Sequence, residues 1–176
     1  SIYRQAGYRT AVYSSPHLVH FLERCRIDGE NADATDFIAA CAMVERARCG
    51  FDPVNSLEKA PTIESTIALT YFEFTTLAFL ALMAQSTLDV AILEVGLGGR
   101  LDATNIIERP AVCGIAQLGV DHEGFLLDPD NGPNWPPLER IAWEKAGIAK
   151  AGVPLVTMDY PEPMAARIAE ACGQSH

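Results

Sequence analysis

One stretch of the chain, residues 89–105 (DVAILEVGLGGRLDATN), constrains the fold more than any other. Its apolar segment, Val90 to Leu93, is short and β-branched at two positions, which is typical of a parallel strand buried on both faces. Glu94 follows where such a strand ends, and ligands bind at that edge of open parallel sheets. We expect this carboxylate to be paired or bound to a cation, because an isolated buried charge is costly.

The turn after Glu94 is rich in glycine, at Gly96, Gly98 and Gly99. These residues let the backbone turn sharply and approach a ligand closely. Polar groups that could orient a ligand follow at Arg100, Asp102, Thr104 and Asn105. A dinucleotide fingerprint is a weaker interpretation, because Leu101 occupies its third glycine position and no helical pattern follows. A tight turn with Glu94 on the surface is a further alternative, and the residues alone leave it open.

Length, charge and cysteine content limit the classes of function. The 176 residues suffice for one domain with a core. The net charge of −10 argues against a nucleic-acid-binding protein, and no apolar run reaches membrane-spanning length. The five cysteines form no Cys-x-x-Cys pair, and no secretory signal is evident. We therefore expect reduced thiols in a cytoplasmic protein with no nucleic-acid or membrane partner.

Short apolar runs alternate with helical patterns along the rest of the chain. Besides residues 90–93, strands are predicted at 10–14, 111–118 and 153–158. Helices are predicted at 34–48, from Pro61 or Thr62 to Gln85, and at 138–149 and 161–172. This alternation predicts an α/β fold with a mainly parallel sheet flanked by helices. Prolines and an Asn-Gly pair predict a structured surface loop at residues 127–137 (LDPDNGPNWPP).

Two further groups of residues could carry chemistry. Asp121 and His122 follow the predicted strand at 111–118, at the same sheet edge as Glu94. A carboxylate and an imidazole there could share a divalent cation, although a softer metal or a general base would suit histidine equally well. Residues 70–74 (TYFEF) place an acid among three aromatic rings. They suit a flat heteroaromatic ligand, or they are core rings beside a surface charge.

Several motifs occur in the order that one family shows. The run LEVGLGGRLDATN resembles the central-domain signature of dihydrofolate synthase/folylpolyglutamate synthase, a branch of the Mur-ligase-like ATP-dependent amide ligases. Four companions keep the same order: AGYRTAVYSSPHLVHFLERCRIDGE, TYFEF, the Asp121-His122 pair and EKAGI at residues 144–148. The resemblance covers nearly all of residues 1–160. It implies a Mur-ligase central-domain fold of the P-loop-NTPase-like type.

The resemblance also implies a reaction. Members of this branch are acid–amino-acid ligases that join L-glutamate to dihydropteroate, to a folate whose chain is extended, or to both. ATP is the co-substrate, an acyl phosphate is the intermediate and Mg²⁺ is required. The implied partners are therefore dihydropteroate or folate, ATP and L-glutamate, and we expect a monomer.

Site residues follow from the resemblance by position. It assigns Ser15, Glu94 and His122 to magnesium. Lys145 matches a lysine that is typically carbamylated in the family and binds a second magnesium, so Lys145 and His122 are the candidate catalytic residues. The implied substrate-binding residues are Thr70, Tyr71, Phe72 and Glu73, together with Leu101, Asp102 and Ala103.

The family's phosphate-binding loop, Gly-Lys-Gly-Ser/Thr, does not occur in these 176 residues. The resemblance thus implies that residues 1–176 are an incomplete central domain without the C-terminal glutamate-ligase domain, and that this chain alone is inactive. Two alternatives remain. One is a non-catalytic pterin-binding fragment. The other is a cell-wall-precursor ligase domain of the Mur type. The motifs Ser-Pro-His-Leu and TYFEF favour the folate branch over this alternative.

Overall fold

The computed structural model describes residues 1–50, 66–120 and 123–174. The chain divides into two compact units, Ser1–Glu94 and Val95–His176, and each is described by itself. Both units combine strands with helices. Within the described ranges, no helix has the length and apolarity that a membrane crossing requires.

The first unit contains a four-stranded sheet and three helices in its described residues. The helices are α1 (Ile2–Gln5), α2 (Ala34–Arg48) and α3 (Tyr71–Gln85), and the strands are β1 (Thr10–Tyr13), β2 (Cys25–Ile27), β3 (Glu30–Asn31) and β4 (Val90–Leu93). The strand order is β3-β2-β1-β4. Strands β1 and β4 are parallel, with Tyr13 opposite Leu93, whereas β2 runs antiparallel to β1 and β3.

Strands β2 and β3 form a hairpin that the sequence analysis did not predict. Ile27 pairs with Glu30, so the connection is the two-residue turn Asp28-Gly29. Both turn residues have positive φ, 49° and 85°, as a type I′ turn requires. Asp-Gly is one of the preferred sequences for that turn, so the signal was present in the sequence.

Helices α2 and α3 build the core of the first unit. The predicted helix at 34–48 is present as α2, and Asp33 caps its start by accepting the Thr35 amide at 2.7 Å. The Phe37 ring of α2 stacks on Phe79 of α3, with centroids 4.4 Å apart. Tyr13 of β1 shares a buried hydrogen bond of 2.8 Å with Thr76, which ties α3 to the sheet.

Two predictions for this unit were wrong in part. Helix α3 begins at Tyr71 instead of Pro61 or Thr62, because Thr70 is its N-cap and residues 66–70 are not helical; residues 51–65 lie outside the described residues. Strand β4 was expected to be buried on both faces, yet Ala91 and Ile92 are exposed. Strand β4 ends the sheet order, and an edge strand has a neighbouring strand on one side only.

The second unit contains a two-stranded parallel sheet and three helices in its described residues. The strands are β5 (Cys113–Ile115) and β6 (Leu155–Thr157), and the helices are α4 (Glu123–Leu126), α5 (Pro137–Ala146) and α6 (Met164–Gln174). Its core consists of small and branched side chains between α5, α6 and the strands: Ile115, Ala142, Ala146, Ile168 and Ala171. All four predicted elements exist, but the strands are shorter and the helices are shifted. Helix α5 begins with Pro137, a residue favoured in the first helical turn.

The loop at residues 127–137 is structured, as predicted. Residues Pro129–Asn131 form a 3₁₀ turn, and the Asp128 carboxylate caps it by accepting the Asp130 amide at 3.0 Å. The Trp135 ring meets the Trp143 ring of α5 edge to face, with centroids 6.1 Å apart. The loop is therefore attached to α5 by side-chain contacts.

Candidate active site

The carboxyl ends of β1 and β4 bring Ser15 and Glu94 together in the first unit. The parallel register makes the chain leave both strands at one edge. The Glu94 amide donates to the Tyr13 carbonyl at 2.9 Å and extends the ladder by one residue. The Ser15 amide then donates to Oε2 of Glu94 at 3.3 Å. Two of the three residues that the resemblance assigns to magnesium are thus neighbours.

The Glu94 side chain is exposed, whereas the sequence analysis expected a buried carboxylate. Because β4 is the edge strand, the end of this strand is open to water. An exposed carboxylate stays hydrated and needs no cation to offset burial. Its chemistry still fits the implied ion: Mg²⁺ prefers oxygen ligands, keeps several waters and takes only one or two carboxylates. The Glu94 carboxylate and the Ser15 hydroxyl are donors of that kind.

The loop after β1 is held in shape by the carboxylate of Glu23. This group accepts the backbone amides of Leu18 at 3.0 Å, Val19 at 3.4 Å and His20 at 2.9 Å. The hydrogen bonds from the His20 and Leu18 amides lower the pKa of Glu23. The Ser14 amide also donates to the Arg24 carbonyl at 2.8 Å. The backbone on both sides of Ser15 is therefore fixed by hydrogen bonds.

The TYFEF segment forms the first turn of α3. Oε2 of Glu73 accepts the Thr70 amide at 2.7 Å, and the Thr70 hydroxyl accepts the Glu73 amide at 3.2 Å. This reciprocal pair is a capping box, and the Thr70 backbone bond lowers the pKa of Glu73. Tyr71 is 69% exposed, and Phe72 is half-buried. Glu73 thus has a structural function besides the substrate contact that the resemblance implies.

In the second unit, Asp102 shapes the glycine loop. One of its carboxylate oxygens accepts the amides of Gly96 at 3.1 Å and Leu97 at 3.0 Å. The other accepts the amide and the hydroxyl of Thr104 at 2.9 and 2.6 Å. Gly98 has a φ of 69°, a conformation that residues with a side chain rarely adopt. Asp102 and Thr104 therefore bind the loop itself in this structure, while Leu101 is exposed and Ala103 half-buried.

Two glycines let this loop lie directly on the end of α5. A Cβ atom on Gly99 would come within 2.9 Å of the Lys145 carbonyl oxygen. A Cβ atom on Gly147 would overlap the Cα and side chain of Arg100. Asn105 bridges the contact by donating to the Arg100 carbonyl at 3.0 Å and to the Gly147 carbonyl at 3.1 Å. The loop and the last turn of α5 are therefore packed without space for additional atoms.

A buried ion pair joins the same two segments. Arg100 donates through Nε and Nη2 to both carboxylate oxygens of Glu144, at 3.2 and 2.9 Å. The Arg100 amide donates to the Glu144 carbonyl at 2.9 Å. Glu144 is only 5% exposed. Bidentate pairs of this geometry are among the stronger hydrogen-bonded contacts in proteins.

Lys145 and the glycine loop line one cavity of about 140 Å³ in the second unit. Its walls include Gly96, Leu97, Gly98, Leu126 and Lys145. Lys145 is half-buried, so it is not a fully solvated charge on the helix surface. A cavity that exposes backbone groups of a glycine loop beside a lysine can accept an anionic group.

Asp121 and His122 lie outside the described residues. Within residues 1–50, 66–120 and 123–174, no group of three or more His, Cys, Asp or Glu side chains is placed to hold a metal ion. The implied function of His122 stays a prediction. Of the other implied residues, the structure brings together Ser15 with Glu94, and Lys145 with the glycine loop.

The sequence analysis missed the partners of Arg100. It treated Arg100 as a group that could orient a ligand, whereas the structure pairs it with Glu144 and with the Asn131 carbonyl at 2.6 Å. It also did not single out Arg140, which contacts Glu144 at 3.0 Å. The partners of Arg100 lie 31 and 44 positions away along the chain, and no local pattern in one sequence reports contacts at such separations. The short spacing of Arg140 and Glu144 on one helix was the only signal.

No family model matches the chain. Curated proteins do match it. The mitochondrial folylpolyglutamate synthase of Bos taurus is 40% identical over 166 residues, which are 93% of this chain and 26% of that protein. The dihydrofolate synthase/folylpolyglutamate synthase of Escherichia coli K12 is 41% identical over 163 residues, 93% of this chain and 33% of that protein. The chain thus spans about a quarter to a third of the length of these relatives.

Solved structures agree with this result. The structure of E. coli FolC in complex with DHPP and ADP matches 99% of this chain, at 39% identity and a TM-score of 0.79. The matched part is 36% of the FolC chain. A bifunctional folylpolyglutamate synthase/dihydrofolate synthase with Mn, AMPPNP and L-glutamate bound covers 95% of this chain, with 39% identity and a TM-score of 0.70. Sequence and fold agree over nearly the whole chain, and the chain belongs to the dihydrofolate synthase/folylpolyglutamate synthase family of Mur-ligase-like proteins, of which it spans one segment.

Proposed function

We propose that the protein containing this segment is an ATP-dependent ligase that joins L-glutamate to dihydropteroate, to a folyl-glutamate, or to both. The observation that carries the proposal is the match to a FolC structure that holds DHPP and ADP, at 39% identity over 99% of the chain. The loop, strand-end and helix-cap segments described above all lie within that match. The dihydrofolate and polyglutamate activities use the same chemistry on substrates of different length.

The reaction would proceed in two balanced steps. A carboxylate oxygen of the substrate attacks the terminal phosphorus of ATP, which forms an acyl phosphate and releases ADP. The amine of glutamate then attacks the acyl carbon, a C–N bond forms, and phosphate and one proton leave. Both steps bring anions together, so a divalent cation that screens charge on the phosphoryl oxygens supplies much of the catalysis.

Each unit would contribute its own residues. In the first unit, Ser15 and Glu94 would supply oxygen ligands to magnesium, and Thr70 to Glu73 would contact the pterin-bearing substrate. In the second unit, Leu101 to Ala103 would contact substrate. There the neutral amine of Lys145 would attack CO₂ and lose one proton to solvent. The resulting carbamate is an anionic oxygen ligand of the type that Mg²⁺ takes.

Glu73 offers a direct test of the substrate proposal. Calorimetric titration of the chain with dihydropteroate in the presence of Mg²⁺ would compare the wild type with Glu73→Gln. A glutamine keeps an acceptor for the Thr70 amide, so the capping box survives while the negative charge is lost. We expect binding to weaken by about tenfold or more, since a hydrogen bond to a charged group contributes on the order of 1.5–3 kcal/mol and the variant removes that charge.

The matched control is Asp33→Asn at the start of α2. This variant likewise removes one carboxylate from the start of a helix in the same unit, here from the N-cap itself, and asparagine caps equally well. Equal weakening in both variants would assign the effect to net charge and reject the Glu73 contact. A folded wild-type chain that binds no dihydropteroate would reject a substrate site on these residues.

The metal proposal has a separate test. Mn²⁺, which retains the oxygen preference of Mg²⁺ and is detected by electron paramagnetic resonance, would be titrated into the wild type and Glu94→Gln. Loss of a bound ion in the variant supports the Glu94 site. Unchanged Mn²⁺ affinity would exclude Glu94 as a ligand in this chain.

We also propose that the parent protein acts in the cytoplasm or in a eukaryotic organelle, since its relatives include a bacterial protein and a mitochondrial one. Imaging of a fluorescent fusion of the parent protein in its own cells tests this. Export from the cell would contradict it.

A further inference from the structure

Glu144, the neighbour of Lys145 on α5, is held by several contacts at once. It receives three guanidinium contacts, two from Arg100 at 2.9 and 3.2 Å and one from Arg140 at 3.0 Å. Its own backbone carbonyl accepts the Arg100 amide. Both charge partners and the backbone therefore fix this residue, in a position that is 5% exposed.

Arg140 is the more deeply buried of the two guanidinium partners. It is 1% exposed, and a Cβ atom on Gly132 would overlap its guanidinium group. Its distance to Glu144 is that of an ion pair, but Nη1 and Nη2 have no aligned hydrogen-bond acceptor among the described residues. Burying a guanidinium with unsatisfied donors is costly. The buried Arg140 therefore holds Glu144 in place, but its unsatisfied donors lower the stability of the fold.

An aromatic ring completes the cluster. The guanidinium carbons of Arg100 and Arg140 lie 4.6 and 4.7 Å from the centroid of Trp143, within the range of cation–π attraction. Trp143 thereby limits the directions that either arginine can take. Two guanidinium groups contact one carboxylate, and one ring contacts both guanidinium groups.

The position of Glu144 determines the position of its neighbour. Adjacent residues on a helix project about 100° apart, so fixing Glu144 sets the rotation of the last turn of α5 and the direction in which Lys145 leaves it. The same Arg100 that holds Glu144 belongs to the glycine loop. One ion pair thus connects the two walls of the cavity, the lysine and the loop.

We propose that Glu144 is a positioning residue: through Arg100, and held by Arg140, it fixes Lys145 and the loop of Gly96 to Gly98 as two parts of the wall of one cavity. The proposal deepens the function proposed for Lys145. Its first test does not depend on that function, because it measures the lysine amine itself.

The test measures the reactivity of Lys145. Trace labelling with acetic anhydride, read by mass spectrometry against a free lysine peptide, gives the relative rate at which each lysine of the folded chain is acetylated. Glu144→Gln keeps the shape of the side chain and removes the charge. Arg100→Lys keeps the charge and removes the bidentate fork.

We expect the labelling rate of Lys145 to rise about fivefold or more in both variants. Loss of one charge-assisted contact shifts the equilibrium between the held and the released lysine by about that factor. The reason is that Lys145 would then sample solvent instead of the cavity wall. Both variants are measured at a temperature where circular dichroism shows them fully folded.

The same helix provides a matched control. Glu139 of α5 pairs with Arg167 at 3.0 Å, and its side chain is 13% exposed, but no contact of this pair reaches the glycine loop among the described residues. Glu139→Gln therefore breaks a comparable ion pair and leaves the contacts of Glu144 unchanged. Unchanged Lys145 labelling in this control, with a rise in the other two variants, supports positioning.

Two outcomes would overturn the proposal. The first is that Glu144→Gln and Arg100→Lys label like the wild type. The second is that Glu139→Gln raises Lys145 labelling equally, which would reduce Glu144 to a general stabiliser of the unit.

A second readout separates this proposal from the function assigned to Lys145. In ¹³C-bicarbonate, a carbamate on Lys145 gives a carbonyl NMR signal that is absent in Lys145→Ala. Loss of the signal in Glu144→Gln, with retention in Glu139→Gln, adds support. A wild type that shows no carbamate would contradict the carbamate proposal, and the labelling rates would still decide whether Glu144 positions the lysine.

Discussion

The two units hold their candidate site residues in opposite ways. In the first unit, Ser15 and Glu94 meet at an open sheet edge, and one hydrogen bond of 3.3 Å joins them. In the second unit, the glycine loop is fixed to α5 by a buried ion pair, close glycine contacts and an asparagine bridge. Exposed carboxylates can exchange water for a cation at low cost, whereas a cavity wall must be placed before a ligand arrives. The candidate residues of the first unit are therefore exposed and held by few contacts, whereas those of the second unit are packed in a fixed frame.

The largest expected effect on stability comes from removing the carboxylate of Glu144, with removal of the Glu94 carboxylate as the comparison. We expect Glu144→Ala to lower the free energy of unfolding by roughly 3–5 kcal/mol, because it leaves buried guanidinium groups without a counter-charge. Glu94→Ala, on an exposed side chain, should stay within about 0.5 kcal/mol of the wild type. Urea denaturation of the two variants measures this. Similar losses in both would remove the distinction between the units.

A smaller effect should follow from adding one methyl group at the contact between loop and helix. We expect Gly147→Ala to cost about 1–3 kcal/mol, because its Cβ would overlap Arg100 and force the loop away. Gly119→Ala is the control in the same unit, since a Cβ there would meet nothing within 4 Å. Thermal unfolding should separate them. Equal midpoints would show that the loop is free to shift.

The helix cap of the first unit should contribute less to the free energy of unfolding than the contact between loop and helix in the second unit. We expect Thr70→Ala to destabilise by about 1 kcal/mol, because the Glu73 amide loses its acceptor. Thr70→Ser retains a hydroxyl and should restore nearly all of that loss. Chemical denaturation of both variants tests the cap. An alanine variant as stable as the serine variant would show that α3 does not depend on its capping box.

The smallest effect concerns the opposite end of the β1–β4 pair, where Arg9 and Asp89 form an exposed pair at 2.8 Å. The side-chain hydrogen bond from Arg9 lowers the pKa of Asp89 to about 2. A lowered carboxyl pKa adds stability above the unfolded pKa of about 3.9, and this stability is lost as the pH falls toward 2. In Arg9→Ala, NMR titration should show the pKa of Asp89 moving up toward 3.9. A midpoint that stays near 2 would mean that Arg9 is not the cause.

Local patterns predicted a large part of this fold. The strand at Val90–Leu93, the glycine loop and helix α2 followed from an apolar run, from glycines and from apolar residues at helical spacing. The start of α3 was missed because a helix-compatible composition outweighed the Thr70–Glu73 capping box, although that signal was visible in TYFEF. The β2–β3 hairpin was missed, although Asp28-Gly29 is a sequence that favours a two-residue hairpin turn.

Other features could not be predicted from one sequence. The exposure of Ala91 and Ile92 depends on the strand order of the sheet, which no run of residues encodes. The pairing of Arg100 with Glu144 depends on how a loop and a helix 44 positions apart come together. Motif resemblance found Lys145 and Glu94 as candidates, but the contacts around them required coordinates.

Trp143, the ring that contacts both arginines of the Glu144 cluster, allows unfolding to be followed by fluorescence. The chain contains two tryptophans, Trp135 and Trp143, and both belong to the second unit. Indole emission therefore reports unfolding of Val95–His176 alone, while far-ultraviolet dichroism records the helices of both units. Coincident denaturation curves from the two signals would show a single cooperative transition, and separated curves would assign the first or second step to a specific half of the chain.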